Sequence, residues 1–257
     1  MTNPHGSFIW YELLTGDPDA AATFYSDVIG WTGKSAGMPG VDYRIFSAGS
    51  TGIAGYMKLP AEAARMGARP GWLGYIGVDD VDAAVSSIVA AGGKVHMPAM
   101  DMDGVGRMAM VADPQDVPFY VMRRASDGAS SSFDPMTPGH CSWNELSTTD
   151  QAGALAFYTG QFGWQKGDVM PIGAMGGYQF INHGGRMIGA VMTNPPGGRR
   201  PGWKFAFSVT DIDSAAAKIA GGGGTVEHGP TEVPGGDWIV MAIDPQGVPF
   251  IVSGPRK

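Results

Sequence analysis

Short apolar runs in this chain end repeatedly at an aspartate, and each is followed by apolar residues at helical spacing. After Asp17 the apolar positions are Ala21, Phe24, Tyr25 and Val28; after Asp80 they are Val81, Ala84, Val85 and Ile88. Residues three and four apart share one face of a helix, so both stretches predict strand, then amphipathic helix. The aspartates stand where a carboxylate accepts from the exposed N–H groups of a first helical turn, and Pro18 suits that turn. Gly92 and Gly93 predict a left-handed exit from the second helix. The same signals return later, with Asp150 and Asp211 as caps and Gly160 or Gly221 near the exits.

Strands follow each helix. Residues 43–49 and 52–59 are short, apolar and separated by turn residues. Residues 178–192 predict a hairpin turning at Gly184 and Gly185, where two glycines tolerate positive φ. RMAMVADPQDVPFYVMR and WIVMAIDPQGVPFIVSG each read as strand, turn, strand, with Asp-Pro-Gln-Asp/Gly as a type I turn. The predicted unit is β-α-β-β-β, and it occurs four times.

The four units form two copies of a longer repeat. WYELLTGDPDAAATFYSDVIGW, from Trp10, aligns without a gap on WNELSTTDQAGALAFYTGQFGW, from Trp143. RPGW at 69–72 recurs at 200–203, VDDVDAA at 78–84 recurs as VTDIDSAA from Val209, and DPQDVPFYV at 113–121 recurs as DPQGVPFIV at 244–252. Matches of this length in one order indicate duplication. Between the copies RASDGASSSFDPMTPG is rich in Ser, Gly and Pro and has no apolar period, as expected of a linker. The expected domains are 8–125 and 138–257, joined by 126–137.

These residues resemble the vicinal oxygen chelate superfamily, also called the glyoxalase/bleomycin resistance protein/dioxygenase fold. The strand–Asp–helix–FY–GW runs at 12–31 and 145–164, the VDDVDAA and VTDIDSAA junctions and both DPQ-x-VPF hairpins carry the resemblance. It covers nearly the whole chain except the linker. Within the superfamily the chain is similar to tandem two-domain actinobacterial proteins of the hydroxylase and antigen type. The resemblance implies an α+β fold of four βαβββ units in two tandem domains, each with a cavity. It does not imply one activity, because the fold hosts lyases, dioxygenases, epimerases and metal-free drug-binding proteins.

In metal-binding members the ligands are His, Glu or Gln on the first and last strands of each unit. Counted from the capping Asp and the DP turn, those positions are Trp10, Leu73 and Tyr120 in the first domain, and Trp143, Lys204 and Ile251 in the second. Trp, Leu and Ile cannot ligate, and a lysine ammonium repels a cation. The strands GIAGYMKL and RMIGAVM supply no His or carboxylate. The expectation is therefore no metal site at the family positions and no cofactor.

Composition narrows the partners. Hydrophobic residues make up 44% and charged residues 16%, which suits a packed core, and the formal net charge of -7 argues against nucleic acid or an anionic membrane surface. Cys141, the single cysteine, excludes an internal disulfide. MTNPHGSFIW lacks the features of a signal peptide and no apolar run spans a bilayer, so the expected location is the cytoplasm. No G-x-S-x-G or Walker motif occurs. GGGG at 221–224 and GAMGG at 173–177 read as turn glycines, not phosphate loops.

Glu12 and Glu145 lie two residues after Trp10 and Trp143, so period two places them on the cavity face. Each is a candidate general base or a structural carboxylate, with Arg44 or Lys204 as a candidate ion-pair partner. Trp10, Tyr43, Trp72, Tyr75 and Tyr120 form one candidate aromatic wall for a planar ligand; Trp143, Tyr178 and Trp203 form the other, with Lys204 beside it. The alternative for these rings is core packing. The histidines His5, His96, His140, His183 and His228 are expected in solvated loops, although a site from His140 and Glu145 stays open. The run MPAMDMDGVGRMAM at 97–110 suits either an adaptable lid or core filler. Two functions remain open here: a metal-free module binding a small molecule, and an enzyme of lyase or hydroxylase/dioxygenase type acting on a carbonyl or aromatic metabolite. The duplication suggests a pseudo-symmetric intrachain domain pair, and it leaves further homodimerisation open.

Overall fold

The structure is a computed structural model describing residues 3–173, 176–194, 197 and 200–257; Ala174 and Met175 of the GAMGG run lie outside the described residues. The elements are β1 (Phe8–Thr15), α1 (Pro18–Ile29), β2 (Thr32–Ser35), β3 (Arg44–Ala48), β4 (Thr51–Lys58), α2 (Ala61–Arg65), β5 (Gly71–Gly77), α3 (Val81–Ala90), β6 (Lys94–Met102), β7 (Gly106–Ala112) and β8 (Pro118–Arg124). After the linker come β9 (Cys141–Thr148), α4 (Gln151–Phe162), β10 (Gln165–Pro171), β11 (Gly177–His183), β12 (Arg186–Thr193), β13 (Gly202–Ser208), α5 (Ile212–Gly221), β14 (Thr225–Glu232), β15 (Trp238–Ile243) and β16 (Pro249–Gly254). Apart from the short α2, the order is βαβββ four times. Two eight-stranded mixed sheets run β2-β3-β4-β1-β5-β8-β7-β6 and β10-β11-β12-β9-β13-β16-β15-β14. The fold is the α+β architecture that the repeats predict.

Local chemistry explains the helix ends. The carboxylates of Asp17, Asp80, Asp150 and Asp211 each accept from N–H groups of the first turn. The exits differ from expectation at three glycines. Gly92 is left-handed but Gly93 is not, Gly160 lies inside α4 with Gly163 as its left-handed cap, and Gly223 rather than Gly221 takes the positive φ after α5. Gly184 and Gly185 both have positive φ and close the two-residue hairpin between β11 and β12.

Compact packing divides the chain differently from its sequence repeats. One unit gathers Met1–Ile9, Leu73–Ser130 and Asn144–Trp203; the other gathers Trp10–Trp72, Ser131–Trp143 and Lys204–Lys257. We call them the first and second units. Each therefore combines one βαβββ motif from each sequence half.

Inside each unit the repeated motifs bond to the other half of the sequence. In the second unit, Gln246 of the later DPQ turn accepts from the Thr15 hydroxyl and the Asp17 N–H, both at 2.7 Å. In the first unit, Gln115 of the earlier DPQ turn accepts from the N–H groups of Thr149 and Asp150 at 2.9 Å and donates to the Asp150 carbonyl at 3.1 Å. The Trp31 indole donates to the Gly139 carbonyl at 2.7 Å, and the Trp164 indole donates to the Gly6 carbonyl at 2.8 Å. The FY–GW and DPQ residues recur because each performs this joining in both units.

Candidate functional site

Strand register superimposes the two repeats. Glu12 lies opposite Gly55 and Glu145 opposite Ala190, while Gly55 pairs with Ile45 and Ala190 with Phe180. Tyr43, just before β3, and Tyr178 on β11, each two residues earlier in the chain than those partners, are therefore equivalent positions. Tyr43 accepts from the Trp10 indole at 3.0 Å, and Tyr178 donates to the Glu145 carboxylate at 2.9 Å. The strand beneath differs between the repeats. A Cβ on Gly55 would collide with the Tyr43 hydroxyl, so glycine lets that ring lie across β4, where the other repeat has the Cβ of Ala190. Glu12 and Glu145 are 4% and 7% exposed, which makes both buried carboxylates.

The aromatic candidates divide by role. Tyr75 and Tyr120, register partners on β5 and β8, stack with ring centroids 4.2 Å apart. Their equivalents on β13 and β16 are Ala206 and Ile251. Trp72 and Trp203 are drawn into buried chains of hydrogen bonds. The Trp72 indole donates to the Tyr25 hydroxyl at 3.0 Å, and that hydroxyl donates to Asp244 at 3.1 Å. In the first unit Trp203 donates to Tyr158 at 3.1 Å, and Tyr158 donates to Asp113 at 3.2 Å. Trp143 on β9 and Lys204 on β13 are half-buried.

Burial shifts the groups of these chains. Desolvation raises the Asp113 and Asp244 carboxyls above the ordinary carboxylate range, against the lowering effect of N–H bonds from their own turns. Desolvation, reinforced by the adjacent carboxylate, pushes the Tyr25 and Tyr158 hydroxyls well above the usual phenol range. The Cys141 thiol is pushed up to about 12 by burial, so it is an inert thiol and not a nucleophile. Helical spacing placed Tyr25 on the apolar face of its helix, but the links of Tyr25 to Asp244 and of Tyr158 to Asp113 were missed. The signal was present in the aspartate that opens both DPQ motifs.

The histidines do not converge. His5 bonds to the Gln161 carbonyl, His96 lies 3.5 Å from the exposed Asp116, and His228 bonds to Thr231. His140 is buried, not solvated as expected, with its Nδ1 on the Ser131 carbonyl. Among the described residues no group of three or more His, Cys, Asp and Glu side chains could hold a metal ion. At two of the positions counted for the family's ligands, Trp10 directs its indole to Tyr43 and Tyr120 stacks on Tyr75. Among the described residues no helix is long and apolar enough to cross a membrane.

Comparison with known proteins extends this picture. The family model described as "Glyoxalase/Bleomycin resistance protein/Dioxygenase superfamily" matches residues 7–119 and 137–252. CFP32 of Mycobacterium tuberculosis (strain CDC 1551 / Oshkosh), which carries a glyoxylase name, is 34% identical over 96% of this chain and 94% of its own. The anthracycline biosynthesis protein DnrV of Streptomyces peucetius is 31% identical over 98% and 94%. Among solved structures, a Mn(II)-bound glyoxalase from Novosphingobium aromaticivorans matches with a TM-score of 0.66 at 19% identity, covering 98% of this chain and 82% of its own. The 2,2',3-trihydroxybiphenyl 1,2-dioxygenase of Sphingomonas wittichii strain RW1 matches at 0.68 and 12% identity, covering 99% and 91%. Both structural likenesses concern the fold.

Proposed function

The chain belongs to the glyoxalase/bleomycin resistance protein/dioxygenase superfamily, and from that premise we propose that it binds a small organic, aromatic-bodied molecule without the family's divalent ion. The observation that carries this reading is the replacement of metal ligands by Trp10, Leu73 and Tyr120, and by Trp143, Lys204 and Ile251. Aromatic rings with a few oriented polar tips suit a flat ligand, and the Trp10–Tyr43 and Tyr178–Glu145 pairs supply oriented tips. The domains are read as 8–125 and 138–257, the location as cytoplasmic, and both homodimerisation and the ligand's identity are left to experiment.

The test is a thermal-shift screen of the full chain against flat aromatic compounds, repeated with Tyr178→Phe and Trp10→Phe. A ligand that stabilises the wild type and loses on the order of tenfold in affinity in either variant supports the reading. Binding unaffected by both variants contradicts the assignment of these side chains.

A second reading rests on the Tyr178–Glu145 bond. A buried carboxylate with one oxygen held at 2.9 Å is oriented as a general base must be, and Glu12 is its counterpart in the other repeat. Under this reading, turnover of an identified substrate falls by several orders of magnitude in Glu145→Gln or Glu12→Gln. Unchanged turnover in both eliminates it.

A further inference from the structure

The methionines of the β6–β7 hairpin share a face of the sheet with Tyr120, the register partner of Met110. Met97 lies opposite Met110, Met100 opposite Met108, and Met102 opposite Gly106; on the next strand Met108 lies opposite Met122. Directly opposed residues project to the same side of an antiparallel pair, and alternate residues of one strand share a side. Register shifts between Val95 and Met97 and between Met97 and Met100 keep the methionines of β6 on that side although their spacing is uneven. The opposite side is identified independently: Arg107 and Asp101, a register pair, bond to each other at 2.9 Å, and Arg107 reaches Asp82 on α3. The methionine face therefore turns away from α3.

We propose that Met97, Met100, Met108 and Met110 form a thioether site for a soft monovalent cation, Cu(I) or Ag(I). Opposed Cβ atoms stand about 5 Å apart and successive ones along a strand about 7 Å, so four flexible thioether arms can bring their sulfurs to one point. Thioether sulfur is a neutral, soft donor that selects Cu(I)-type ions over hard divalent ones. The site has a route to solvent, because Met100 is 42% exposed and Met97 and Met110 are half-buried, while Met108 closes it below at 5%. The other repeat has no such set: the positions of Met97, Met100, Met108 and Met110 are held there by His228, Thr231, Ile239 and Met241. Met110 pairs with Tyr120, so this face adjoins the aromatic wall of the small-molecule reading, and silver binding tests the thioether donors whether or not an aromatic ligand binds.

The test is calorimetric titration of the full chain with Ag(I) in chloride-free buffer, in parallel with the Cys141→Ser variant. The expected result is one ion per chain, kept in Cys141→Ser, and unchanged between neutral pH and about pH 5, since thioethers carry no proton to displace. Replacing Met97 and Met110 together with leucine conserves volume and is expected to weaken binding on the order of a hundredfold. Methyl-labelled methionine NMR of the wild type gives a reading independent of any variant: Ag(I) is expected to shift those four methyls before the others. No binding, binding lost in Cys141→Ser, or first shifts at other methionines overturns the proposal.

Discussion

The first unit closes its core with Trp203, Tyr158 and Asp113, and the second does so with Trp72, Tyr25 and Asp244; donor–acceptor distances are 3.1 and 3.2 Å in one, 3.0 and 3.1 Å in the other. The residues around the candidate site do not agree in this way. Ala190 takes the place of Gly55, Tyr75 and Tyr120 stack where Ala206 and Ile251 stand, and the methionine face has no counterpart on β14 and β15. Buried polar chains tolerate little change, because each lost partner leaves another group desolvated and unpaired. The duplication has kept these joints and varied the positions around Glu12 and Glu145.

The largest effect is expected where the units agree. Removing the hydroxyl in Tyr158→Phe or Tyr25→Phe takes the acceptor from a buried indole N–H and the donor from one oxygen of a buried carboxyl group, costing about 2–4 kcal/mol in either unit. Urea unfolding of the two variants checks it; a marked cost in one and none in the other would break the equivalence. Next comes Gly55→Ala, which gives the first repeat the Cβ that Ala190 provides in the second. It is expected to evict Tyr43 from Trp10 at about 1–3 kcal/mol, read by denaturation and by the indole N–H resonance of Trp10.

Protonation gives a smaller effect. His183 is half-buried, its Nε2 has no hydrogen-bond partner among the described residues, and desolvation lowers its pKa, helped by His5 and Arg186. Its unfolded form binds protons first, so stability is complete above about pH 6.5 and is lost as pH falls. Asp113 and Asp244 act in the opposite sense: their raised values favour protonation in the fold, so their contribution is present at low pH and is lost as pH rises through the folded values. Unfolding of His183→Asn against pH is expected to show a flatter acid limb than the wild type; an identical limb contradicts this. The smallest effect belongs to Asp116, a non-glycine residue with φ of 66° where the other DPQ turn has Gly247. Asp116→Gly is expected to stabilise by a few tenths of a kcal/mol, partly offset by loss of its exposed contacts with Lys94 and His96, and thermal melts can measure it.

The sequence displayed what is local. Aspartate caps, the paired glycines of the β11–β12 turn and the DPQ turns each act within a few residues, so spacing alone located them. The partners of Gln246 and Trp31 lie more than a hundred residues away in the chain, and no local pattern encodes them. The assembly of each compact unit from both halves was hidden for the same reason. At the candidate site, spacing set Trp10 and Glu12 two residues apart, but the closeness of the Tyr43 hydroxyl to Gly55, on a neighbouring strand, has no local signal. The short α2 carried no capping side chain to announce it.

The most direct test of the central claim is the divalent-metal content of untagged full-length protein, followed by its melting temperature after addition of Mn(II), Fe(II) or Zn(II). The account predicts no stoichiometric divalent ion and no stabilising shift, because Trp10, Leu73 and Tyr120, and Trp143, Lys204 and Ile251, offer no donor set for one. About one divalent ion per chain together with a stabilising shift would contradict it and make a metal-dependent enzyme the leading reading.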